Sequence, residues 1–207
     1  MCSSDLLSAI TWLGLVVVLM VGASLVSKEI DRRTIFNLLS RPLPRSFYLV
    51  GKWAGLTAAL WTVAAVLGTA LALVVTMLGH GAWLPAIAQA VLMAGLELAV
   101  LCAIAVMFSA LSTPVLSALY TLGLFLAGQW TDDLRRFALQ APGGLRVLLQ
   151  GAADLLPNLS LFNMRSLASL GDCTTPAHLV VAFGYAALYC GCILLLGAAA
   201  FESRDFK

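Results

Sequence analysis

Charged residues are scarce in this chain of 207 residues. They make up 11% of it, against roughly 25% in a typical soluble domain. The twelve Lys and Arg residues are scattered and the formal net charge is only +2, so the sequence has no basic patch of the kind that binds nucleic acid. Because apolar residues reach 61%, the composition excludes an ordinary soluble domain and predicts an integral membrane protein.

Sequence motifs of catalysis and nucleotide binding are also lacking. The two histidines have no further ligands at metal-binding spacing, and no His-Glu-x-x-His or Gly-x-Ser-x-Gly frame indicates an intramembrane enzyme. ATP binding would require a glycine-rich loop that ends in Lys-Ser or Lys-Thr, and Gly51-Lys52-Trp53 lacks that frame. We therefore predict that the chain is not an enzyme and that it holds no cofactor or metal ion itself.

Long apolar runs are what the sequence has instead. A transmembrane helix needs about 20 mostly apolar residues, because only a continuous helix satisfies every backbone polar group within lipid. The runs predict an all-α polytopic bundle of about five spans, formed by a single transmembrane domain over residues 1–207. The predicted spans are Leu6 to Ser27, Trp53 to Leu78, Leu84 to Ala110, Pro114 to Trp130 and Leu179 to Phe201.

The positions of Lys and Arg predict the orientation of these spans. Positive residues near span ends favour the cytoplasmic side of the inner membrane. If the loop over residues 28–52 and the C-terminus are cytoplasmic, eight basic residues lie inside and four lie outside. We therefore expect a multi-pass plasma-membrane protein with this loop inside. The N-terminus then starts outside without a signal peptide, and we favour a missing upstream span over insertion of the first span as a reverse anchor.

The segment over residues 131–178 is predicted to lie outside, because it is too polar to cross the membrane and too long for a simple turn. Pro142-Gly143-Gly144 separates two short helix candidates. In the second candidate, apolar and polar side chains occupy different faces. We interpret it as a helix in the outer membrane interface, and a cap packed over the bundle is the alternative. Its apolar face contains Leu145, Leu148, Leu149, Ala152 and Leu156.

A charged, partly amphipathic segment over residues 28–46 interrupts the apolar runs. Its apolar side chains cluster on one half of a helical wheel, and Glu29 is ordered correctly to form an ion pair with Arg33. Pro42 and Pro44 then end the helix. From these properties alone two interpretations are open. The segment is either a docking helix or a solvated connector whose basic residues set the topology and contact anionic lipid.

The residues of this segment resemble the cytoplasmic signature of the type 2 ATP-binding-cassette (ABC) transporter permease family. The similarity lies in the run Val26-Ser27-Lys28-Glu29-Ile30-Asp31-Arg32-Arg33-Thr34-Ile35, followed by Leu38-Leu39-Ser40-Arg41-Pro42, Arg45 and Gly51-Lys52. Weaker similarities at Ser109 to Pro114, Leu156 to Asn158 and Arg204 to Phe206 extend it over nearly the whole chain. Members of that family have six spans and an inside N-terminus, and this chain looks like one that begins just before the second span.

The resemblance implies a permease subunit whose segment 28–46 is a coupling helix that docks on a separate ATPase subunit. That partner would bind ATP and Mg²⁺, and a second permease subunit, identical or similar, would complete the membrane domain. The implied function is substrate movement across the plasma membrane, with export favoured, driven by the partner's ATP hydrolysis. We expect apolar docking contacts from Ile35, Phe36, Leu38 and Leu39, and polar contacts from Glu29, Arg32 and Arg33.

Glu97 is the only ionisable residue deep within a predicted span. An ionisable group is costly in lipid, so it indicates either a place on a substrate path or a polar contact with another helix or subunit. Both interpretations are open. Two alternative functions also stay open: an ATPase-independent secondary transporter or channel, which Glu97 alone supports, and an ABC-linked membrane scaffold that moves no solute.

Overall fold

The computed structural model describes residues 2–25, 45–140, 142–164, 167–168 and 171–202. Within these ranges the regular secondary structure is helical. Short 3-10 helices lie at Gly22–Ser24, Gly81–Trp83 and Leu159–Phe162. The α-helices of the described residues are α1 (Cys2–Met20), α2 (Arg45–Met77), α3 (Leu84–Leu111), α4 (Pro114–Gln129), α5 (Thr131–Gln140), α6 (Gly143–Leu155) and α7 (Pro176–Glu202).

The apolar runs form the long helices that they predict. In the described residues, four helices are long and apolar enough to cross a membrane, at Leu7–Ser24, Phe47–Met77, Gly81–Leu111 and Pro176–Ala200. The predicted all-α polytopic bundle is thus confirmed. The predicted segment from Pro114 to Trp130 forms a helix with nearly those bounds, but with 16 residues α4 is not among these four long helices. At about 1.5 Å per residue α4 is about 24 Å long, which is less than the roughly 30 Å of the hydrocarbon core.

A two-residue link joins α3 to α4. The backbone N–H and the hydroxyl of Ser112 both donate to the Phe108 carbonyl, at 2.9 Å each, and so cap the end of α3. Thr113 is extended, as favoured for a residue before proline. Pro114 then begins α4, because proline fits the first turn of a helix. The chain therefore reverses direction at once and returns into the bundle.

α3 is the central helix of the bundle. It contacts α1, α2, α4 and α7. Every residue from Met93 to Val106 is buried, and these residues are mostly Ala, Val and Leu together with Glu97. The core of the protein is therefore the surface of α3 and the inward faces of the four helices around it.

Close contacts give the directions of the helices. Two contacts follow the same order along α3 and along α1 with the turn after it, and two further contacts follow the same order along α3 and α7, so these three helices are parallel. α2 and α4 run in the opposite direction, because each is joined to α3 by a short turn. The contacts are Gly14 with Leu98, Gly22 with Ala105, Cys190 with Ala99 and Gly197 with Met107.

The bundle therefore has two sides. We call the side that contains Leu25, Arg45 and Ser112 the Arg45 side. The opposite side contains the turn around His80 and residues 172–175, and we call it the His80 side. α5 and α6 pack against each other as a helical hairpin. The hairpin follows the end of α4 that points toward the His80 side, and the chain after it leads to the start of α7.

The α5–α6 hairpin matches the prediction of two short helices separated near Pro142, and its apolar residues divide between a buried side and an exposed side. Ala138 of α5 and Ala153 of α6 are fully buried. In contrast Leu148, which the predicted stripe includes, is 72% exposed. The hairpin therefore buries small side chains between its helices and presents larger apolar side chains outward.

Candidate functional site

The predicted docking residues lie outside the described residues. All of them belong to residues 26–44: Glu29, Arg32, Arg33, Ile35, Phe36, Leu38 and Leu39. The described chain on either side ends at Leu25 and resumes at Arg45. Both flanking segments pack on the central helix. Before the gap, Gly22 lies against Ala105 of α3. After the gap, Leu49 near the start of α2 packs in a small buried cluster with residues of α3 and α7. The bundle thus anchors both ends of the predicted docking segment.

Glu97 lies in the middle of the central helix. Its side chain is 1% exposed, and its Oε1 accepts a hydrogen bond from Nε2 of Gln129, the last residue of α4. Within a membrane the partner of a buried polar group has to come from the protein. The hydrogen bond therefore joins the middle of α3 to the end of α4. The sequence alone does not single out Gln129, because it lies near the end of a predicted span.

The two side chains meet because α3 and α4 are antiparallel. Side chains of a helix lean toward the N-terminus of that helix. Glu97 therefore leans toward the His80 side and Gln129 leans toward the Arg45 side. Each side chain spans part of the axial distance between the two backbones, and the amide and the carboxyl group come together inside the bundle.

The end of α4 is a second polar feature in the same region. The Thr131 hydroxyl lies 3.1 Å from the Gly128 carbonyl oxygen and 3.4 Å from the Pro157 carbonyl oxygen. The backbone N–H of Trp130 donates to the Ala127 carbonyl at 3.2 Å. Thr131 is fully buried. The last carbonyl groups of a helix lack partners within it, so these donors stabilise an end of α4 that is enclosed by protein.

The chain returns to the level of this helix end after α6. Gly128 and the backbone of Pro157 lie very close together, since a Cβ atom at Gly128 would lie 2.7 Å from the Pro157 carbonyl oxygen. The backbone N–H of Asn158 donates to Tyr185 Oη at 2.9 Å. Tyr185 lies nine residues into α7, about 14 Å along its axis, and its ring leans back by a few Å. Both ends of the hairpin therefore lie about 10 Å inside the start of α7.

Polar contacts near the His80 side hold the segment that follows. His178 Nε2 lies 3.1 Å from the Leu161 carbonyl oxygen, and the backbone N–H of Thr174 donates to Gln89 Oε1 at 2.9 Å. Among the described residues, no three His, Cys, Asp or Glu side chains are grouped closely enough to hold a metal ion. His178 thus contributes to packing of the connecting segment against the bundle.

Two tryptophans of α2 bond to the backbone of α3. Trp53 Nε1 donates to the Ala99 carbonyl at 3.0 Å, and Trp61 Nε1 donates to the Gly95 carbonyl at 3.0 Å. Gly95 permits this approach, because a Cβ atom there would lie 3.0 Å from the indole ring. Sequence reasoning did not single out Trp61. The available signal was its spacing of eight residues from Trp53, which places both indoles on one face of α2.

Trp61 lies between two apolar grooves. One groove of about 330 Å³ lies between α2 and α3, and another of about 390 Å³ is bordered by α2, α3 and α7. Neither groove is lined by a charged residue, and Glu97 lines neither of them. The grooves therefore suit apolar groups, and the position of Glu97 favours a polar contact between helices over a place on the wall of these grooves.

Comparison with curated proteins finds no match. The family model described as ABC-2 family transporter protein matches residues 3–206. The matched region includes the transmembrane helices, the hairpin and the segment over residues 26–44 whose sequence resembles a permease signature. Because the match covers nearly the whole chain, the protein belongs to the ABC-2 transporter family and is a membrane permease component of that family.

Proposed function

We propose that the chain is the membrane-spanning subunit of an ABC exporter in the plasma membrane. A separate ATPase subunit binds ATP and Mg²⁺, and its hydrolysis cycle moves a substrate through a membrane domain completed by a second permease subunit. The family match over residues 3–206 carries this proposal. The sequence supports it, since it has long apolar spans and no glycine-rich nucleotide-binding loop.

The segment over residues 28–46 is the proposed coupling helix. An ATPase moves a membrane domain only through elements that it contacts differently in its two states. The helices on both sides of this segment pack on α3, through Gly22 against Ala105 and through Leu49, so displacement of the segment would be passed to the central helix. The proposed docking contacts are Glu29, Arg32, Arg33, Ile35, Phe36, Leu38 and Leu39.

The proposed orientation places the Arg45 side in the cytoplasm. The loop over residues 28–52 and the C-terminus then lie inside with most of the basic residues, as expected from the distribution of positive charge in inner-membrane proteins. The His80 side and the α5–α6 hairpin face the exterior. This arrangement puts the proposed coupling helix where an ATPase has access to cytoplasmic ATP.

Affinity purification of the full-length protein from its own cells, in mild detergent, tests the proposal. We expect an ABC ATPase to co-purify in stoichiometric amount. The double variant Ile35→Asp/Leu38→Asp places charges on the proposed docking face and should abolish co-purification. Ile35→Val/Leu38→Met keeps the same two positions apolar and close to their original size, and this matched control should retain the ATPase.

Size-exclusion chromatography of each variant shows whether the protein stays folded. A folded parent protein that recovers no ATPase contradicts the permease proposal, and it would favour an ATPase-independent transporter. Equal recovery of the ATPase with Ile35→Asp/Leu38→Asp and with Ile35→Val/Leu38→Met contradicts the proposed docking face. If the ATPase binds, ATP-dependent substrate accumulation in inverted vesicles then distinguishes an exporter from an ABC-linked scaffold.

A further inference from the structure

Two glycines let α2 and α3 fit into each other. The indole ring of Trp61 lies against Gly95 of α3, where a Cβ atom would be 3.0 Å from the ring. In the reverse sense, Val91 of α3 lies against Gly68 of α2, where a Cβ atom would be 2.7 Å from Val91 Cγ2. Each helix therefore has a gap that receives a side chain of the other. An axial shift would drive these side chains against a neighbouring turn, and packed interiors resist such a change.

Two hydrogen bonds act together with this packing. The Nε1 atoms of Trp53 and Trp61 donate to the carbonyl oxygens of Ala99 and Gly95, at 3.0 Å each. The two acceptors are one helical turn apart and so lie on one face of α3. Each carbonyl oxygen has a second lone pair besides the one that is used within the helix. The bonds therefore tie α2 to the main chain of α3, and no change of side-chain rotamer in α3 releases them.

These bonds favour a single register of α2 against α3. Carbonyl groups on one face of a helix recur about every 5.4 Å, whereas a hydrogen bond tolerates only a few tenths of an ångström. A shorter slide leaves the indole N–H groups without acceptors, and lipid supplies none. A slide of one full turn brings Trp61 against Val91 or Ala99, which have a Cβ atom where Gly95 has none. Both movements are therefore opposed.

The two tryptophans lie between the proposed coupling segment and the main chain of the central helix. α2 begins at Arg45, directly after the segment over residues 26–44. Trp53 follows about 12 Å along α2, and Trp61 follows about 24 Å along it. Because α2 is one continuous helix, a displacement of its start reaches both indoles. Their hydrogen bonds then pass it to α3.

α7 is attached to α3 less firmly at the same level. The Cys190 thiol lies 3.6 Å from the Ala99 carbonyl oxygen, which also accepts the bond from Trp53. A thiol is a weak donor, so this contact holds α7 less strongly than an indole N–H holds α2. The groove of about 390 Å³ that α2, α3 and α7 border lies beside it. α7 is therefore freer to move against α3 than α2 is.

We propose that Trp53 and Trp61 are positioning residues of the transport cycle. They fix α2 to α3 in one register, so that the two helices move as one body when the ATPase displaces the coupling segment. The source of this movement rests on the proposed function, whereas the fixed register is a property of this chain alone. The register can therefore be tested without the ATPase.

Electron spin resonance on the full chain in lipid nanodiscs measures the register. One spin label is attached at Phe47→Cys, an exposed position near the start of α2. The other is attached at Thr113→Cys, an exposed position just after α3. The two positions lie on the Arg45 side, so a slide of α2 against α3 changes the distance between them. Three native cysteines are replaced by Ser, namely Cys2, Cys173 and Cys192.

Two variants separate the hydrogen bonds from the shape of the rings. Trp53→Phe/Trp61→Phe removes both N–H donors and keeps aromatic rings. Trp61→benzothienylalanine replaces the N–H group by sulfur in a ring of the same size, so the packing against Gly95 is kept. We expect one narrow distance distribution in the parent protein. In both variants we expect a distribution broader by up to about 5 Å, which is one helical turn.

Trp130→Phe is the matched control, because it removes an exposed indole at the end of α4. It should keep the narrow distribution. A broad distribution in the parent protein would overturn the fixed register. Equally narrow distributions in the parent and in both variants would overturn the role of the tryptophans, and so would equal broadening by Trp130→Phe.

The complex with the ATPase tests the common movement of α2 and α3. The same distance is measured without nucleotide and with a non-hydrolysable ATP analogue. It should stay unchanged in the parent complex. In Trp53→Phe/Trp61→Phe the ATPase should bind as it binds the parent, and the analogue should change the distance. A role of the tryptophans in folding alone would not make the distance depend on nucleotide.

Two results would overturn the common movement. One is a change of the distance in the parent complex on addition of the analogue. The other is a distance in the double variant that is as independent of nucleotide as in the parent. A folded parent protein that binds no ATPase would contradict the proposed function instead, and it would leave the measured register unaffected. Failure of the two proposals is therefore distinguishable.

Discussion

α3 and α7 are alike in sequence character and differ in their surroundings. They have 28 and 27 residues and are both strongly apolar, yet 78% of the α3 span is buried within the protein and only 22% of the α7 span is. In water an apolar face indicates the interior of a protein. In lipid, a helix surface is apolar whether it contacts protein or acyl chains. Hydropathy therefore predicts that both helices exist and does not predict which one is central.

The difference between the two helices lies in their polar and small residues. α3 contains Glu97, whose carboxyl group is bonded to Gln129 of α4, and Gly95, which accommodates the indole of Trp61. These features require neighbouring protein on several faces of the helix. The exposed part of α7 includes Leu188, at 74%, an apolar side chain that needs no particular partner in lipid.

Leucine truncation should reveal the difference between α3 and α7 most strongly. Leu101 of α3 is fully buried, and Leu195 of α7 is 70% exposed. Leu101→Ala leaves a cavity among packed helices, and we expect it to lower the free energy of unfolding by about 2 kcal/mol or more. Leu195→Ala removes contacts with lipid alone and should change it by less than about 0.5 kcal/mol.

Thermal unfolding in detergent, followed by the loss of the monodisperse peak in size-exclusion chromatography, measures both variants. Equal destabilisation by the two changes would contradict the central position of α3. A larger effect of Leu195→Ala would indicate that α7 is covered by protein, as by a second subunit that survives solubilisation.

The helical character of the apolar runs, and four of the five predicted spans, could be predicted from the sequence, because the bilayer demands long apolar helices. The tight link at Ser112 and Thr113 and the break near Pro142 could also be predicted, since proline marks both. The end of α4 could not be placed in depth. The run ends beside Trp130, a residue type that is common at membrane interfaces, and nothing in the sequence indicates that Thr131 and the chain after α6 pack on the last turn of α4.

Substitution of two glycines of α4 tests that packed helix end. A Cβ atom at Gly128 would lie 2.7 Å from the Pro157 carbonyl oxygen and 2.8 Å from Leu159, whereas no atom lies within 4 Å of one at Gly123. Gly128→Ala has to displace backbone, and we expect a loss of about 1–3 kcal/mol. Gly123→Ala is the matched control and should not destabilise the protein, because alanine favours a helix.

The same thermal assay measures these two variants. If Gly128→Ala is as stable as Gly123→Ala, residues 157–159 do not pack on the end of α4 as the structure has them. Loss of stability in both variants would instead indicate that the Gly123 face of α4 is also covered, by a partner that remains bound in detergent.

The partner of Glu97 could not be predicted in the same way. The cost of an ionisable group in lipid singles out Glu97 in the sequence, but many hydroxyl and amide groups are available to it. Only the antiparallel packing of α3 and α4 brings Gln129 to the carboxyl group. The predicted coupling residues within 26–44 stay a prediction, because they lie outside the described residues.

A double-mutant cycle on Glu97 and Gln129 should give the smallest effect and the most informative one. Hydrogen bonds between membrane helices typically contribute about 0.6–1.7 kcal/mol, so we expect a coupling free energy in that range between Glu97→Leu and Gln129→Leu. A coupling near zero would contradict the hydrogen bond. Glu97→Gln keeps a polar acceptor, so it should unfold at nearly the parent temperature.

The Glu97→Gln variant also separates the two interpretations of this residue. If Glu97 only joins helices, the variant should keep both stability and ATP-dependent transport, because a side-chain amide replaces a carboxyl group as acceptor. If Glu97 also contacts the substrate, the variant should fold normally and lose transport, because the ionisable group is gone. The same substitution thus tests whether the central position of α3 serves packing alone or the transported molecule as well.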